Sequence, residues 1–287
     1  MFYKVFLSAL LIIGSFTVCE VKADSFILMI GDGMGKNHLR CAAQDKPLYI
    51  TSLPVKGWVQ TRSADNEVTD SAASATAYAC GIKTNNRFLG KRPDGSDCRT
   101  IAEECVEKGL AVGIYSTDYS TGATPSAFYA HVPHRKRNKE IEEYKAQAGK
   151  TMDIQVPVEK ISDEVEARLE KLKNTNKDFF VMFEGARIDT ESHQNNLNQM
   201  KQELYDFDLA VMKATNFVYH NPDATLVVLA DHETGGLTDD CEYTVPKHTG
   251  QDVPLHAYGK HAELFEGVQD NTEINKKMKQ ILFSDKN

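Results

Sequence analysis

Three short apolar runs, each leading directly into acidic or histidine side chains, constrain this chain more than any other feature. Ser25–Ile30 (SFILMI) opens into Gly31-Asp32-Gly33-Met34-Gly35. Asp178–Phe183 (DFFVMF) ends in Glu184-Gly185, and Ala224–Ala230 (ATLVVLA) ends in Asp231-His232-Glu233-Thr234-Gly235-Gly236. Runs this short and this apolar suit strands buried on both faces, the kind found in parallel sheets covered by helices. Leu110–Tyr115 predicts another such strand, and Val55–Arg62 alternates weakly as a strand would. Helices are predicted between them: from Ser71 as N-cap to a stop at Gly81, over Ser96–Lys108 with Gly109 as stop, over Asn138–Ala148, over Ser162–Leu172, and over Asn271–Phe283. Leu204, Phe207, Val211, Ala214 and Val218 repeat at helical spacing and form a core-facing stripe. Gly149–Lys160 reads as a loop or a short edge strand. Strands alternating with helices predict an α/β fold, a mostly parallel central sheet with helices on both faces.

In such sheets, sites form at the carboxyl ends of the strands. Asp32, Glu184, Asp231 and His232 all fall there. Asp189 and His193 are four residues apart, so on a helix they share one face and can hold one metal. With His248 added, this many carboxylates and imidazoles near one sheet edge require neutralisation, and divalent cations supply it. Ser71 follows Asp70 at the start of a helix whose free N–H groups and positive dipole end suit a phosphate or an oxyanion. An ordinary capped helix is the alternative for that stretch alone. Thr124 precedes Pro125, which biases it towards extended backbone with its hydroxyl free to point into a site. Arg135 reads either as an anion clamp or as a surface residue beside Lys136 and Arg137. The glycine-rich loop after Ile30 is not a dinucleotide fingerprint, because its glycine spacing differs and it holds a carboxylate.

The 287 residues are enough for one large domain, and the net charge of −8, with no dense basic cluster, argues against nucleic-acid binding. Residues 1–23 carry Lys4, the apolar run Val5–Val18 and the close Val21-Lys22-Ala23. They read as a signal peptide cleaved after Ala23, with 24–287 as a single catalytic domain, secreted or periplasmic, and no membrane association after cleavage. The mature chain then holds five cysteines, Cys41, Cys80, Cys98, Cys105 and Cys241, so at least one is unpaired. If Cys98 and Cys105 share one helix, two turns separate them by about 10 Å, too far for a bridge.

Five motifs, IGDGMG, TDSAASATAYACG, ATPSAFYAHVPHR, FEGARIDTESH and LADHETGG, followed by HTG, resemble the alkaline phosphatase family in order and across nearly the whole mature chain. The resemblance implies a metal-dependent phosphomonoesterase of broad range, with two zinc ions and one magnesium. By position, Ser71 resembles the nucleophile that becomes phosphorylated, Arg135 the guanidinium that grips phosphate, and Asp70 its orienting neighbour. Asp189, His193 and His248 resemble the ligands of one zinc, and Asp32, Asp231 and His232 those of the other. Asp32, Thr124 and Glu184 resemble the protein ligands of magnesium. The family's usual assembly is a homodimer. Here the loop between His232 and His248, where larger relatives carry a crown-like insertion at the dimer interface, is short, as is the region between Arg135 and Phe179. The chain departs from the pattern at Gly122, where a carboxylate or imidazole usually helps hold magnesium, and at Thr190, where Lys or His is common. Two other readings stay open: a phosphodiesterase or sulfatase-like hydrolase on the same fold, and a metal-binding protein without turnover.

Overall fold

The structure, a computed structural model, describes residues 24–283, so the signal-peptide reading lies outside the described residues. In chain order the strands are β1 Ser25–Gly31, β2 Val55–Gln60, β3 Ala111–Ser116, β4 Asp153–Gln155, β5 Phe179–Gly185, β6 Ala224–Leu229, β7 Glu233–Thr234, β8 His248–Thr249, β9 Val253–Gly259 and β10 Gly267–Asp270. The helices are α1 Lys36–Ala43, α2 Ser71–Cys80, α3 Ile101–Glu107, α4 Ala123–Ser126, α5 Asn138–Ala148, α6 Ile161–Lys173, α7 Arg187–His193, α8 Leu197–His220 and α9 Asn271–Phe283.

Eight strands form one sheet in the order β10-β2-β9-β6-β1-β5-β3-β4. β1 lies parallel between β5 and β6, and β3 and β4 extend the parallel block. β9 runs antiparallel to both β2 and β6, and β10 is parallel to β2. The central strands are buried along almost their whole length, which is why they read as unbroken apolar runs. Their registers align Ile30 with both Glu184 and Leu229, and Ser116 with Glu184. The carboxyl ends of β1, β3, β5 and β6 therefore finish flush, and the side chains that follow them meet in one crevice. The α8 stripe from Leu204 to Val218 is buried as predicted.

Two local expectations are corrected. The third helix begins at Ile101, not Ser96, because Thr100 is its N-cap and forms a capping box with Glu103. Cys98 thus lies outside the helix and pairs with Cys80; Cys41 pairs with Cys241, and Cys105 is the unpaired, buried thiol. Thr124 is not extended. It sits in the short helix α4, where Pro125 is still within the first turn and its missing N–H costs no hydrogen bond.

His256 on β9 is buried with its Nδ1 unpartnered, and burial together with the Lys56 charge lowers its pKa to about 4. An unfolded imidazole takes its proton near 6.5. A lowered folded-state pKa means that the unfolded chain binds the extra proton first. The stability from neutral His256 is therefore full above about pH 6.5 and is lost as pH falls towards 4, by about 3 kcal/mol in all. Urea melts of metal-free His256→Leu should show an acid-side loss smaller than the wild type's by about that amount, with little difference at pH 7.

Candidate active site

The N-terminus of α2 carries the reacting-group candidates. Asp70, not Ser71, is its N-cap: the backbone of Asp70 is extended and its Oδ1 accepts from Ala73 N at 3.0 Å. Both residue types cap well, so the sequence alone misplaces the boundary by one. Ser71 is the first helical residue, buried, with Oγ 3.1 Å from His232 Nε2. The Asp70 carboxylate also accepts from Arg87 N at 3.1 and 3.0 Å and lies 3.4 Å from Arg135 Nη1. Arg135 N in turn donates to Arg87 O at 2.8 Å. One carboxylate thus starts the helix that presents Ser71 and holds the guanidinium at the same end.

Two ligand clusters adjoin Ser71. In the first, Asp189, His193 and His248 bring their ligating atoms within 4.8 Å of one another. His193 Nδ1 faces Pro246 O and His248 Nδ1 faces Thr69 O, each at 3.0 Å. A carbonyl oxygen only accepts, so each Nδ1 carries the proton and each neutral ring leaves Nε2 bare. Those two Nε2 atoms are 3.1 Å apart, with the Asp189 carboxylate 3.4 and 3.6 Å away. Facing lone pairs repel, and an intervening cation relieves that repulsion.

In the second cluster, Asp32, Asp231 and His232 converge in the same way and are all buried. The Thr234 hydroxyl donates to Asp189 Oδ1, so its oxygen is left to accept from His232 Nδ1 at 3.2 Å. His232 Nε2 is therefore bare as well, 3.4 Å from Asp32 Oδ1 and 3.2 Å from Asp231 Oδ2. Asp32 Oδ1 and Asp231 Oδ2 have no hydrogen-bond partner. Burial, then the charges of Asp231, Asp189, Glu184 and Asp118, hold the Asp32 carboxyl well above its usual range. Burial raises Asp231 too, while burial and the neighbouring His248 push His232 well below the ordinary imidazole value. These directions express the cost of crowding buried acids without a countercharge.

The two clusters are contiguous. The His232 and His248 rings stack with centroids 3.6 Å apart, and the single Thr234 hydroxyl touches both sets. Gly33 permits this closeness. Its φ is +71°, and a Cβ there would lie 2.8 Å from Thr234 Oγ1 and 3.0 Å from Asp189 Cβ. Gly33 N donates to Asp231 Oδ1 at 3.1 Å.

Beyond Asp32 lies a third group. Thr124 Oγ1 and Glu184 Oε1 are fully buried and have no hydrogen-bond partner, while Glu184 Oε2 accepts from Ser116 Oγ. Every donor there is an oxygen, which suits a hard cation of the magnesium type. Thr190 is exposed on α7. Gly122 does not leave a hole as its sequence position predicts, because the space its side chain would fill is taken by the Asp118 carboxylate.

The structure thus brings together every predicted site residue: Ser71, Asp70, Arg135, Asp32, Thr124, Glu184, Asp189, His193, Asp231, His232 and His248. Sequence reasoning missed Thr234 and Asp118. Asp118 follows β3 just as the predicted ligands follow their strands, and that was the signal available for it.

A family model of alkaline phosphatase matches residues 23–162, 155–246 and 237–283 of this chain. The chain belongs to the alkaline phosphatase family. Alkaline phosphatase 3 of Bacillus subtilis is 25% identical over 409 residues, covering 90% of this chain and 88% of that enzyme. That alignment is longer than this whole chain, so the relative carries insertions that are absent here. The alkaline phosphatase of Schizosaccharomyces pombe is 29% identical over 303 residues, 76% of this chain but 57% of that enzyme. The solved alkaline phosphatase of the Antarctic bacterium TAB5 matches with a TM-score of 0.84 at 25% identity, over 92% of this chain and 99% of that one. A variant of the TAB5 enzyme has magnesium bound in its M3 site.

Proposed function

We propose that this alkaline phosphatase hydrolyses phosphate monoesters through a phosphoserine on Ser71. That it is a phosphatase follows from its family. The observation that carries the mechanism is Ser71 Oγ, at a helix N-terminus, 3.1 Å from a bare imidazole nitrogen that belongs to one of two adjoining ligand clusters. Asp189, His193 and His248 would hold one zinc, Asp32, Asp231 and His232 the second, and Asp32, Thr124 and Glu184 a magnesium. When bound, such ions supply Lewis-acid charge at the attacking and leaving oxygens of an in-line displacement.

The chain's own residues do the rest. Ser71 Oγ gives up its proton and bonds to phosphorus as the ester P–O bond breaks, and the leaving oxygen takes up a proton to depart as the alcohol. Water then breaks the phosphoserine, releasing inorganic phosphate and restoring the hydroxyl. The Arg135 guanidinium, oriented by Asp70, grips two non-bridging oxygens at once. The dipole of α2 favours the negative charge that collects beside Ser71. Zinc-loaded protein should hydrolyse p-nitrophenyl phosphate and leave its bis-ester essentially untouched. Preference for the bis-ester would overturn the proposal in favour of a phosphodiesterase.

We infer also that the enzyme works in an oxidising compartment outside the cytoplasm. Support comes from two disulfides, one of which ties residues 200 positions apart, and from the leader-like composition of residues 1–23. Among the described residues, no helix is long and apolar enough to cross a membrane.

A further inference from the structure

We propose that Asp118 supplies a carboxylate to the third cation site, reaching over Gly122 to stand where a side chain at position 122 would stand. The inference rests on the reading that Asp32, Thr124 and Glu184 hold a cation.

The glycine at 122 is not required by its backbone. Its φ of −51° and ψ of 141° are open to any residue. Space requires it: a Cβ at 122 would lie 2.1 Å from Asp118 Oδ2, 2.4 Å from its Cγ and 2.7 Å from its Cβ. The two positions therefore form one unit, in which the absence of a side chain at 122 is the condition for Asp118 to fold inward.

Asp118 is held in that pose from several sides. Its N donates to Ser116 Oγ at 2.8 Å, and the same hydroxyl donates to Glu184 Oε2. Its Oδ1 accepts from Tyr119 N at 2.7 Å, while Gly122 N closes the turn onto Tyr119 O at 2.8 Å. Ser116 thus ties Asp118 to Glu184 through a single oxygen.

Unpartnered oxygens on the neighbouring elements point to a ligand. Thr124 Oγ1 and Glu184 Oε1, both fully buried, and Asp32 Oδ1 have no partner within the chain. The largest charge effect on Glu184 comes from Asp118, which also acts weakly on Asp32, while Asp118 itself has Arg135 as its cationic neighbour. Acids that repel one another across unpartnered oxygens are stable together when they share a cation. Asp118 also lines a crevice of about 280 Å³ with Thr117, Arg187 and Thr190.

The test is direct binding to zinc-loaded protein, followed by the electron paramagnetic resonance of Mn²⁺ and by competition with Mg²⁺. Wild type should take up one such cation. Asp118→Asn, nearly isosteric, should weaken it by about 10–100-fold, with the zinc content unchanged as evidence of folding. Gly122→Asp alone should also weaken it, because two carboxylates then compete for one space. The exchange Asp118→Gly with Gly122→Asp should restore binding to within a few-fold of wild type. Wild-type affinity in Asp118→Asn overturns the proposal alone, as does an exchange variant that folds with full zinc and binds no better than Asp118→Asn. No third cation in the wild type overturns both the proposal and the reading beneath it.

Discussion

Ser71→Ala is expected to lower phosphate-monoester turnover by at least about 10³-fold and to leave the molecule folded. The first half follows from position: at the N-terminus of α2, Ser71 Oγ lies against His232 Nε2, and the adjoining Asp70 holds Arg135 at the same end. The second half follows from the corrected helix boundary. Asp70 caps α2, so removing the Ser71 hydroxyl leaves the cap bond to Ala73 N intact. What is lost is the contact with His232 Nε2, a nitrogen that the proposed function assigns to a cation. The measurements are steady-state rates, thermal melts, and acid-quenched labelling with a phosphate donor, which should mark Ser71 in the wild type and nothing in the variant. An unchanged rate would remove Ser71 from the role of nucleophile. Asp70→Ala should behave differently. It loses the cap, worth about 1 kcal/mol, together with the anchor of Arg135 and Arg87, so both stability and phosphate binding should fall.

The contrast between those two neighbours shows where the sequence was legible and where it was not. β1, β5 and β6 could be read because double burial writes itself as apolar runs, and their flush ends put Asp32, Glu184, Asp231 and His232 at one edge. β9 could not be read: VPLHAYG breaks its pattern with Pro254 and His256, and it pairs antiparallel between strands from distant parts of the chain. β10 is four residues long, its one buried residue is the polar Gln269 and its Val268 is exposed, so it shows no apolar period. The α2 boundary failed by one residue because Asp70 and Ser71 are both capping residues, and only backbone angles separate them. Thr124 failed because the proline rule is a bias that the first turn of α4 overrides. Disulfide pairing across 200 residues has no local signature at all. The grouping of ligands into two sets came from the resemblance to the family, since spacing along the chain carries no distance between His193 and His248. Gly122 is the sharpest case. Read alone it is a missing ligand, and only with Asp118 folded over it does it become half of a pair.

Chelation should abolish activity, and added zinc should restore it where magnesium alone does not. Two bare Nε2 atoms face each other at 3.1 Å, and buried carboxylate oxygens of Asp32, Asp231 and Glu184 lack partners. Imidazole with carboxylate is a zinc ligand set, whereas magnesium prefers oxygen alone, so magnesium cannot replace zinc at His193, His232 or His248. Zinc should therefore also raise the melting temperature, since it binds a site that the unfolded chain does not possess. Its hold should weaken as pH falls, because protons compete for the same nitrogens. His248→Ala separates the two clusters. It removes one ligand of the Asp189–His193 set and leaves Asp32, Asp231 and His232 complete, so metal analysis should find close to one zinc instead of two. Turnover should fall by about 10²-fold or more. The main sheet should survive, because His248 lies on β8, which pairs only with β7 in a ribbon of its own. Far-ultraviolet circular dichroism matching the wild type, with one zinc lost, is the expected pair of results. Full activity in protein stripped of metal would dismantle the mechanism, and His248→Ala retaining both ions would show that the first cluster does not hold zinc.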